Sequence, residues 1–510
     1  MLKRSFLSQS ALAFGFAGAF LACGGGAGST SSPATPAAPG PHLSTAPSPQ
    51  AGYVGDVVTY RVAADGSGNS FQWLKNGTAI PSATTDTLVL PVVAGDDQAR
   101  ISVRVTGSTG GITTSPDAIL DVLWADPAVL AGHDHALAIT TKGRVYAWGV
   151  GGNGQLGQGD WQARTTPTLV NLPAPAVQVA AGWGHSLALL NDGRVFSWGA
   201  NTKGQLGDGT INPRNVPAAV GGLTNVVYLI AGYDHNLAVK QDNSVWVWGY
   251  NSHGQLGLGD KVDRTRPTLS PLNGAALNDV ALGALHSLVL SGTAVYGCGD
   301  NGYGQLGFPY SPTAEHLSWT SLGVAARAIR TNSLYSTLIY TNGVPYGTGE
   351  NVYGPLGDGS LTTRYGWVAM STAGLSGNLT DVVPGQYHTL LLGDAGTAAV
   401  GYNWYGQLGL GAASTTSSTS SQAIPGLTVL QASANYASSY AMLANLTVKA
   451  WGYNNNGRLG DGTSTDHAAP TLIPGLFLGP IPTGVTPPPP VAPGFPKAAR
   501  ALSPAAVASR

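Results

Sequence analysis

Charged side chains are scarce in this chain: 24 Lys and Arg against 25 Asp and Glu make up 10% of its 510 residues, where soluble domains average about 25%. The near balance leaves no basic stripe to neutralise phosphates, so nucleic acid is not an expected partner. Cysteine is almost missing. The two present, Cys23 and Cys298, lie in segments of different character, which argues against a disulfide framework and leaves stability to packing. Long amphipathic helical periodicities are also missing. In their place stand 72 Gly, 20 Tyr and 12 Trp, the mark of short strands punctuated by tight turns, and the expected class is all-β.

Catalytic signatures are equally thin. The acids are few, some of them in D-G turns such as Asp192-Gly193 and Asp208-Gly209, and no G-x-S-x-G run occurs, so neither paired carboxylates nor an activated nucleophile is apparent. A G-x-G-x-x-G match at Gly149, Gly151 and Gly154 is followed by "QGDWQARTTPT", which offers no helix N-terminus to hold a pyrophosphate. No cofactor and no enzymatic activity are expected.

The chain begins with Lys3 and Arg4, then an apolar stretch from Ala11 to Ala22 that is too short to span a bilayer, as in an export signal. Its end, Phe20-Leu21-Ala22-Cys23, resembles the bacterial lipoprotein signal, which implies lipidation of Cys23 and residence in the cell envelope, anchored to the outer membrane or at the cell surface. Residues 1–22 are thus read as a leader and 23–50, rich in Gly, Ser, Thr, Pro and Ala, as a disordered tether. Residues 479–510, with their run of prolines, are read as a disordered tail.

Between 51 and 123 the pattern changes to alternating segments, Val57 to Val62, Ser70 to Leu74, Thr87 to Val92, Ile101 to Val105 and Ile119 to Leu123. That is the spacing of a β-sandwich. With Trp73 in place of a buried core tryptophan and Asp97 opening the run before the last strands, this stretch resembles the immunoglobulin-like repeats of bacterial surface proteins. Val62 and Val103 stand near the usual cysteine pair.

From 124 to 478 the chain repeats itself. The first Gly of a G-[QPR]-L-G signature recurs at Gly154, Gly204, Gly254, Gly304, Gly354, Gly406 and Gly457, in steps of 50 to 52 residues. Each copy carries an upstream strand, tight turn and strand, with Asp192-Gly193 as the turn of the second copy, and such self-similarity marks a β-propeller. The pattern G-x-x-H-x-L-A-L…D-G-x-V-x-x-W-G-x-N-x-x-G-Q-L-G resembles the regulator of chromosome condensation family, which implies a seven-bladed propeller. The family contains a guanine-nucleotide exchange factor and a secreted bacterial inhibitor of β-lactamases that binds through its loops. The copies hold His135, His185, His235, His286, Ser336, His388 and Ser438 at the histidine position, and Trp148, Trp198, Trp248, Cys298, Thr348, Val400 and Trp451 at the tryptophan position. Histidines spread around a ring cannot share one metal ion. They are expected to bond backbone within their own blade, with the tryptophans packing between blades.

The tight turn Asn191-Asp192-Gly193 joins His185–Leu190 to Arg194–Trp198 as a hairpin, so in each repeat the G-x-x-H loop and the N-x-x-G loop must share one face. That face collects Asp134, Trp183, Tyr233, Asp234, His253, Tyr303, Tyr335, Tyr353, Tyr387, Trp404, Tyr405 and Tyr436, rigid amphipathic anchors of the kind that dominate interfaces. The sequence therefore points to a monomeric, exported binding protein with an unknown protein or glycan ligand. Guanine-nucleotide exchange, implied by the family resemblance, is the alternative, with an exported glycan-active enzyme behind it.

Overall fold

In a computed structural model, the described residues are 38–309, 315–411 and 416–479. The leader, Cys23 and most of the proline-rich tail fall outside them.

Two sheets pack together within residues 43–123. One joins Gln50–Tyr53, Ala118–Leu123, Ala99–Thr106, Ser70–Lys75 and Thr78–Ala79, and the other pairs Val57–Arg61 with Thr87–Pro91. Alternation along Val57–Arg61 buries Val58 and Tyr60 and exposes their neighbours, as a half-covered strand requires. These side chains meet Trp73, Ile101, Val103 and Leu120 in a purely apolar core. The tether is shorter than the composition suggests: Leu43–Thr45 pairs with Ala63–Ala64, because Leu43 finds apolar cover against this core.

Beyond Leu123 the described strands form five four-stranded antiparallel sheets and one of seven strands, in which the long strand Glu315–Asn332 serves two neighbours. This makes seven four-stranded units, numbered here in chain order: 128–169, 176–219, 226–269, two sharing Glu315–Asn332 within 277–369, 379–423, and 431–477. In unit 2 the strand His185–Leu190 is buried at every residue, whereas the outer strand Arg214–Ala219 is only partly covered. Inner strands sandwiched between sheets lose the polar alternation for that reason.

What joins the units is a repeated clamp rather than apolar contact alone. His135 Nε2 bonds Ser186 Oγ at 2.8 Å, and Ser186 Oγ donates to the carbonyl of Gln155 in the preceding unit. The same carbonyl accepts the indole N–H of Trp198 at 2.8 Å. His185–Asn236, His235–Ser287 and His388–Ser439 repeat the arrangement, with Asn236, Ser287 and Ser439 donating to Gln205, Gln255 and Gln407. The histidines therefore bond the next unit, not their own. Because the serine hydroxyl spends its proton on the carbonyl, the imidazole must donate from Nε2, and its buried Nδ1 has no partner to accept a second proton's hydrogen bond, which keeps the ring neutral. Gly182 makes room for the ring, since a Cβ there would lie 2.2 Å from His185 Cε1.

Trp198 likewise rests on Gly157 of the preceding signature, where a Cβ would fall 2.9 Å from Nε1 and φ is 69°. In units 4 and 5, whose third strands carry Cys298 and Thr348 instead, Trp319 and Trp367 reach in from the outer strands and sit against Gly257 and Gly307. In these two units the indole keeps its place in space while it moves in sequence, and in unit 6 Val400 fills the seat against Gly357.

The ring closes without strand exchange, each unit being built from consecutive chain. Unit 7 holds unit 1 through Trp148 Nε1 to the Arg458 carbonyl, 2.8 Å, and through the Gln431 amide, which bonds both N and O of Val129. The innermost strands surround a channel of about 550 Å³. In its wall Arg330 pairs with Asp279 at 2.7 Å and Asp381 at 3.2 Å, linking units 4, 5 and 6. At one end Ala51 and Tyr53 of the N-terminal domain reach the channel lining.

Burial drives the imidazoles of His135, His235, His286 and His388 down to about 3 and lowers His185 as well. The unfolded chain binds protons at these sites below about pH 6.5 and the folded ring does not, so stability is complete above that pH and is lost as pH falls toward 3. Each histidine contributes a slope of up to about 1.4 kcal/mol per pH unit. Calorimetry should show a level Tm from pH 8 to 7 and a steep fall below 6, shallower in a His235→Gln/His286→Gln variant. An unchanged Tm down to pH 5 would contradict the neutral clamp.

Candidate functional site

The face opposite the D-G turns is formed where strands one and two of each unit meet and where strand three ends. His135 pairs with Gly149 and His185 with Gly199 at that edge, so both loops of a repeat do emerge together. Their side chains form a continuous run of aromatic rings. His133 lies 5.2 Å from Trp183, 6.1 Å from Tyr233 and 4.8 Å from Tyr436, centroid to centroid. Tyr436 continues to Tyr387 at 6.1 Å, and Tyr387 to Tyr353 at 5.0 Å. Tyr402 then bridges Tyr353 at 4.8 Å to Trp404 at 5.8 Å, with the last pair stacked. Tyr405 and Tyr453 meet at 4.4 Å, and Tyr453 returns to Tyr436.

Most of the side chains expected at this face are there. Trp183, Tyr303 and Tyr353 are exposed, and Trp404 is the most exposed large apolar side chain among the described residues at 71%. Tyr233 leans inward and donates its hydroxyl to Asn332 across the channel mouth at 3.2 Å. Tyr436 is presented by a tight turn with φ of 24°, held by its N–H on Asn435 Oδ1 at 2.8 Å. Backbone in that region is strained for a non-glycine residue and is retained where surrounding contacts impose it.

The charged members are tied down. Burial pushes the Asp134 carboxyl up, but His133 at 2.8 Å and Arg458 at 2.6 Å outweigh it and hold it below the usual range. The Arg458 guanidinium in turn lies 4.7 Å over Tyr453 and 5.6 Å from Tyr436. Asp234 is raised by burial and accepts Gln205 Nε2 at 2.8 Å. His253 pairs with Glu315 at 3.0 Å, 6.2 Å from the ring of Tyr250.

Tyr335 is not part of the face. It is fully buried and pairs with Gly349, as His185 does with Gly199, so it and not Ser336 occupies the histidine position of unit 5. Its hydroxyl donates to the His388 carbonyl at 2.8 Å and lies 3.0 Å from Thr389 Oγ1, which bonds the Pro355 carbonyl. It therefore takes the place of the imidazole in the clamp.

The residue after the glycine that ends strand three supplies side chains not expected from the sequence: Tyr250, Asp300, Glu350, Tyr402 and Tyr453. Comparing the repeats position by position at that place, rather than around the histidine and the signature glycine, would have exposed them. Among the described residues no group of three or more His, Cys, Asp or Glu side chains is placed to hold a metal ion.

A closed ring of repeated four-stranded sheets, with the G-x-x-H and N-x-x-G loops of each repeat on one face, is a propeller of the RCC1-like kind. The RCC1-like domain model matches residues 177–485, and the model of the regulator of chromosome condensation (RCC1) repeat matches 142–189. The chain belongs to this family. Among curated proteins it is 38% identical over 71 residues to human HERC6, described as a probable E3 ubiquitin-protein ligase, covering 14% of this chain and 7% of that one. It is 49% identical over 52 residues to the zebrafish E3 ubiquitin-protein ligase MYCBP2, covering 10% and 1%. The chain thus spans less than a tenth of either relative. Among solved structures, yeast RCC1 (Prp20) bound to Kap60 superposes with a TM-score of 0.58 at 20% identity, over 69% of this chain and 85% of that one. Human WBSCR16 superposes with a TM-score of 0.57 at 22% identity, over 65% and 93%.

Arg458 belongs to both the closing joint and the aromatic face. Replacing Asp134 by Asn leaves its guanidinium without a counter-charge in a site where both side chains are largely covered. Urea denaturation should show a loss of about 2 kcal/mol. Asp160→Asn, which removes a more exposed pair with Arg164, should leave the urea midpoint essentially unchanged.

Proposed function

We propose that this chain is an exported, lipid-anchored binding protein, in which an immunoglobulin-like domain spaces a seven-bladed propeller from its attachment and the aromatic face takes a protein or glycan ligand. The observation that carries this reading is the unbroken run of rings from Trp183 to Trp404, on the face turned away from the N-terminal domain. Such surfaces rim or anchor interaction sites in most soluble proteins that expose them. The solved relatives agree with an interaction role. Yeast RCC1 was crystallised with Kap60, and a further structure of Prp20p is described with its binding to Gsp1p and histones.

The arrangement of the domains also supports the reading. Lys142, in the first hairpin turn of the propeller, pairs with Asp97 and Asp121 of the N-terminal domain, both at 2.6 Å. Trp124 N–H bonds the Thr141 carbonyl at 2.8 Å beside them. The N-terminal domain is thus seated on the D-G turn face. Its first described residues lie at its other end, Pro39 against Gly111, so an anchor at Cys23 would leave the aromatic face pointing outward.

Wild-type protein should capture its ligand from envelope or medium fractions, and Trp183→Ala/Tyr353→Ala/Trp404→Ala should weaken capture at least about 30-fold at unchanged Tm. Full capture by the folded triple variant would remove the face assignment. For the anchor, Cys23→Ser should move the protein from the membrane to the soluble fraction and abolish labelling by a fatty-acid probe. A membrane-bound, labelled Cys23→Ser protein would defeat that part.

A further inference from the structure

One carboxylate on the aromatic face is left over by the repeat's own bookkeeping. In each signature G-Q-L-G, the glutamine side chain accepts a loop N–H through Oε1, as Gln305 does from Tyr303 at 2.9 Å. Its Nε2 then needs an acceptor. Gln305 finds Asp300 at 2.8 Å and Gln205 finds Asp234 at 2.8 Å. Gln155, Gln255 and Gln407, which have no such acid, keep a buried Nε2 without a partner.

Unit 5 shows the reverse. Glu350 stands at the position of Asp300, after the strand-ending glycine, but the signature reads Gly354-Pro355-Leu356 and supplies no amide. The Glu350 backbone is fixed by its N–H on the Leu334 carbonyl at 3.0 Å. Among the described residues its carboxylate has neither an ion-pair nor a hydrogen-bond partner, although it is half-buried. Burial without a partner raises its pKa, and a counter-cation would recover that cost. Tyr353 lies three residues on, 5.0 Å from Tyr387, and the Glu350 charge adds to burial in raising the Tyr387 phenol.

The same face already holds a cation in this way. Arg458 lies over Tyr453 and Tyr436 with Asp134 as its carboxylate. We propose that Glu350, Tyr353 and Tyr387 form a second aromatic–carboxylate subsite, which takes an arginine side chain of a protein partner. This rests on the aromatic face being the binding surface. A planar guanidinium can stack on a phenol ring and donate to a carboxylate at once, which suits it to such a place.

The probe is the peptide acetyl-Gly-Arg-Gly-amide, set against its citrulline counterpart, which has nearly the same shape and no charge. In NMR titration of the full chain at physiological salt, the arginine peptide should bind about tenfold more tightly. Glu350→Gln should erase that preference. Pro355→Gln, which restores the amide donor that Asp300 receives in unit 4, should reduce it as well, with Tm unchanged or raised in both variants. Equal binding of the two peptides, a preference that survives Glu350→Gln, or no binding of the arginine peptide overturns the proposal. If the two peptides bind equally and Tyr387→Ala abolishes both, the aromatic face stands as a binding surface and only its taste for cations falls.

Discussion

Everything else in the ring depends on one carbonyl oxygen per repeat. The signature glutamine carbonyl, or that of the residue in its place, lies where two sheets meet, and in most joints the next sheet supplies two donors for it. Gln155 O takes Ser186 Oγ and Trp198 Nε1, and Gln407 O takes Ser439 Oγ and Trp451 Nε1. An unsatisfied carbonyl between packed sheets would cost about 1–3 kcal/mol, so each joint selects for the donors. The histidine orients the hydroxyl, the glycines make room for the rings, and the signature follows from these needs without any ligand. Loops at the edge are then freer to vary, since in most joints the clamp holds the sheets without their side chains.

The joint between units 7 and 1 is the exception, and it shows what the constraint allows. Ser438 and Ala136 stand where the other joints have an imidazole or the Tyr335 phenol and a hydroxyl or the Asn236 amide, so the clamp cannot form. The carbonyl survives as that of Arg458, with Trp148 Nε1 and Tyr440 Oη as its donors. The missing bond is offset at the edge by the Arg458 side chain, which crosses to Asp134. Closure and the aromatic surface are therefore built from the same residue, and a partner that disturbed Arg458 would be felt at the seam of the ring.

Much of this could be read from the chain before any coordinates. The step of 50 to 52 residues between signatures gives the units, and the tight hairpin turns put both sets of loops on one face, because a hairpin's far ends must lie together. Sequence reading erred where the deciding partner is a whole repeat away. His185 looks like an intrablade residue until Asn236, 51 positions on, is placed beside it. Tyr335 looks like a loop aromatic because it lacks the identity of the histidine whose register it shares. Trp319 and Trp367 are invisible as members of the motif, since they enter the same seat from a different strand. In each case the conserved quantity is a position in space, and an alignment of letters within one repeat does not carry it.

The unpaired Glu350 belongs to the same logic. A glutamine amide needs an acceptor and an acid needs a donor, and the two needs meet within the loops of unit 4 and between units 2 and 3. Of the seven units, only unit 5 sets an acid after the strand-ending glycine against a signature that has no glutamine, because Pro355 stands in its place. Proline cannot supply the side-chain donor, yet its carbonyl still accepts Thr389 Oγ1 at 2.7 Å, so the joint to unit 6 is kept while the loop is left with a spare charge. A scaffold that needs only a backbone carbonyl from this position can change the side chain without loss of fold. That separation of what the ring requires from what its edge displays is how a repeated sheet can carry a surface that is not repeated.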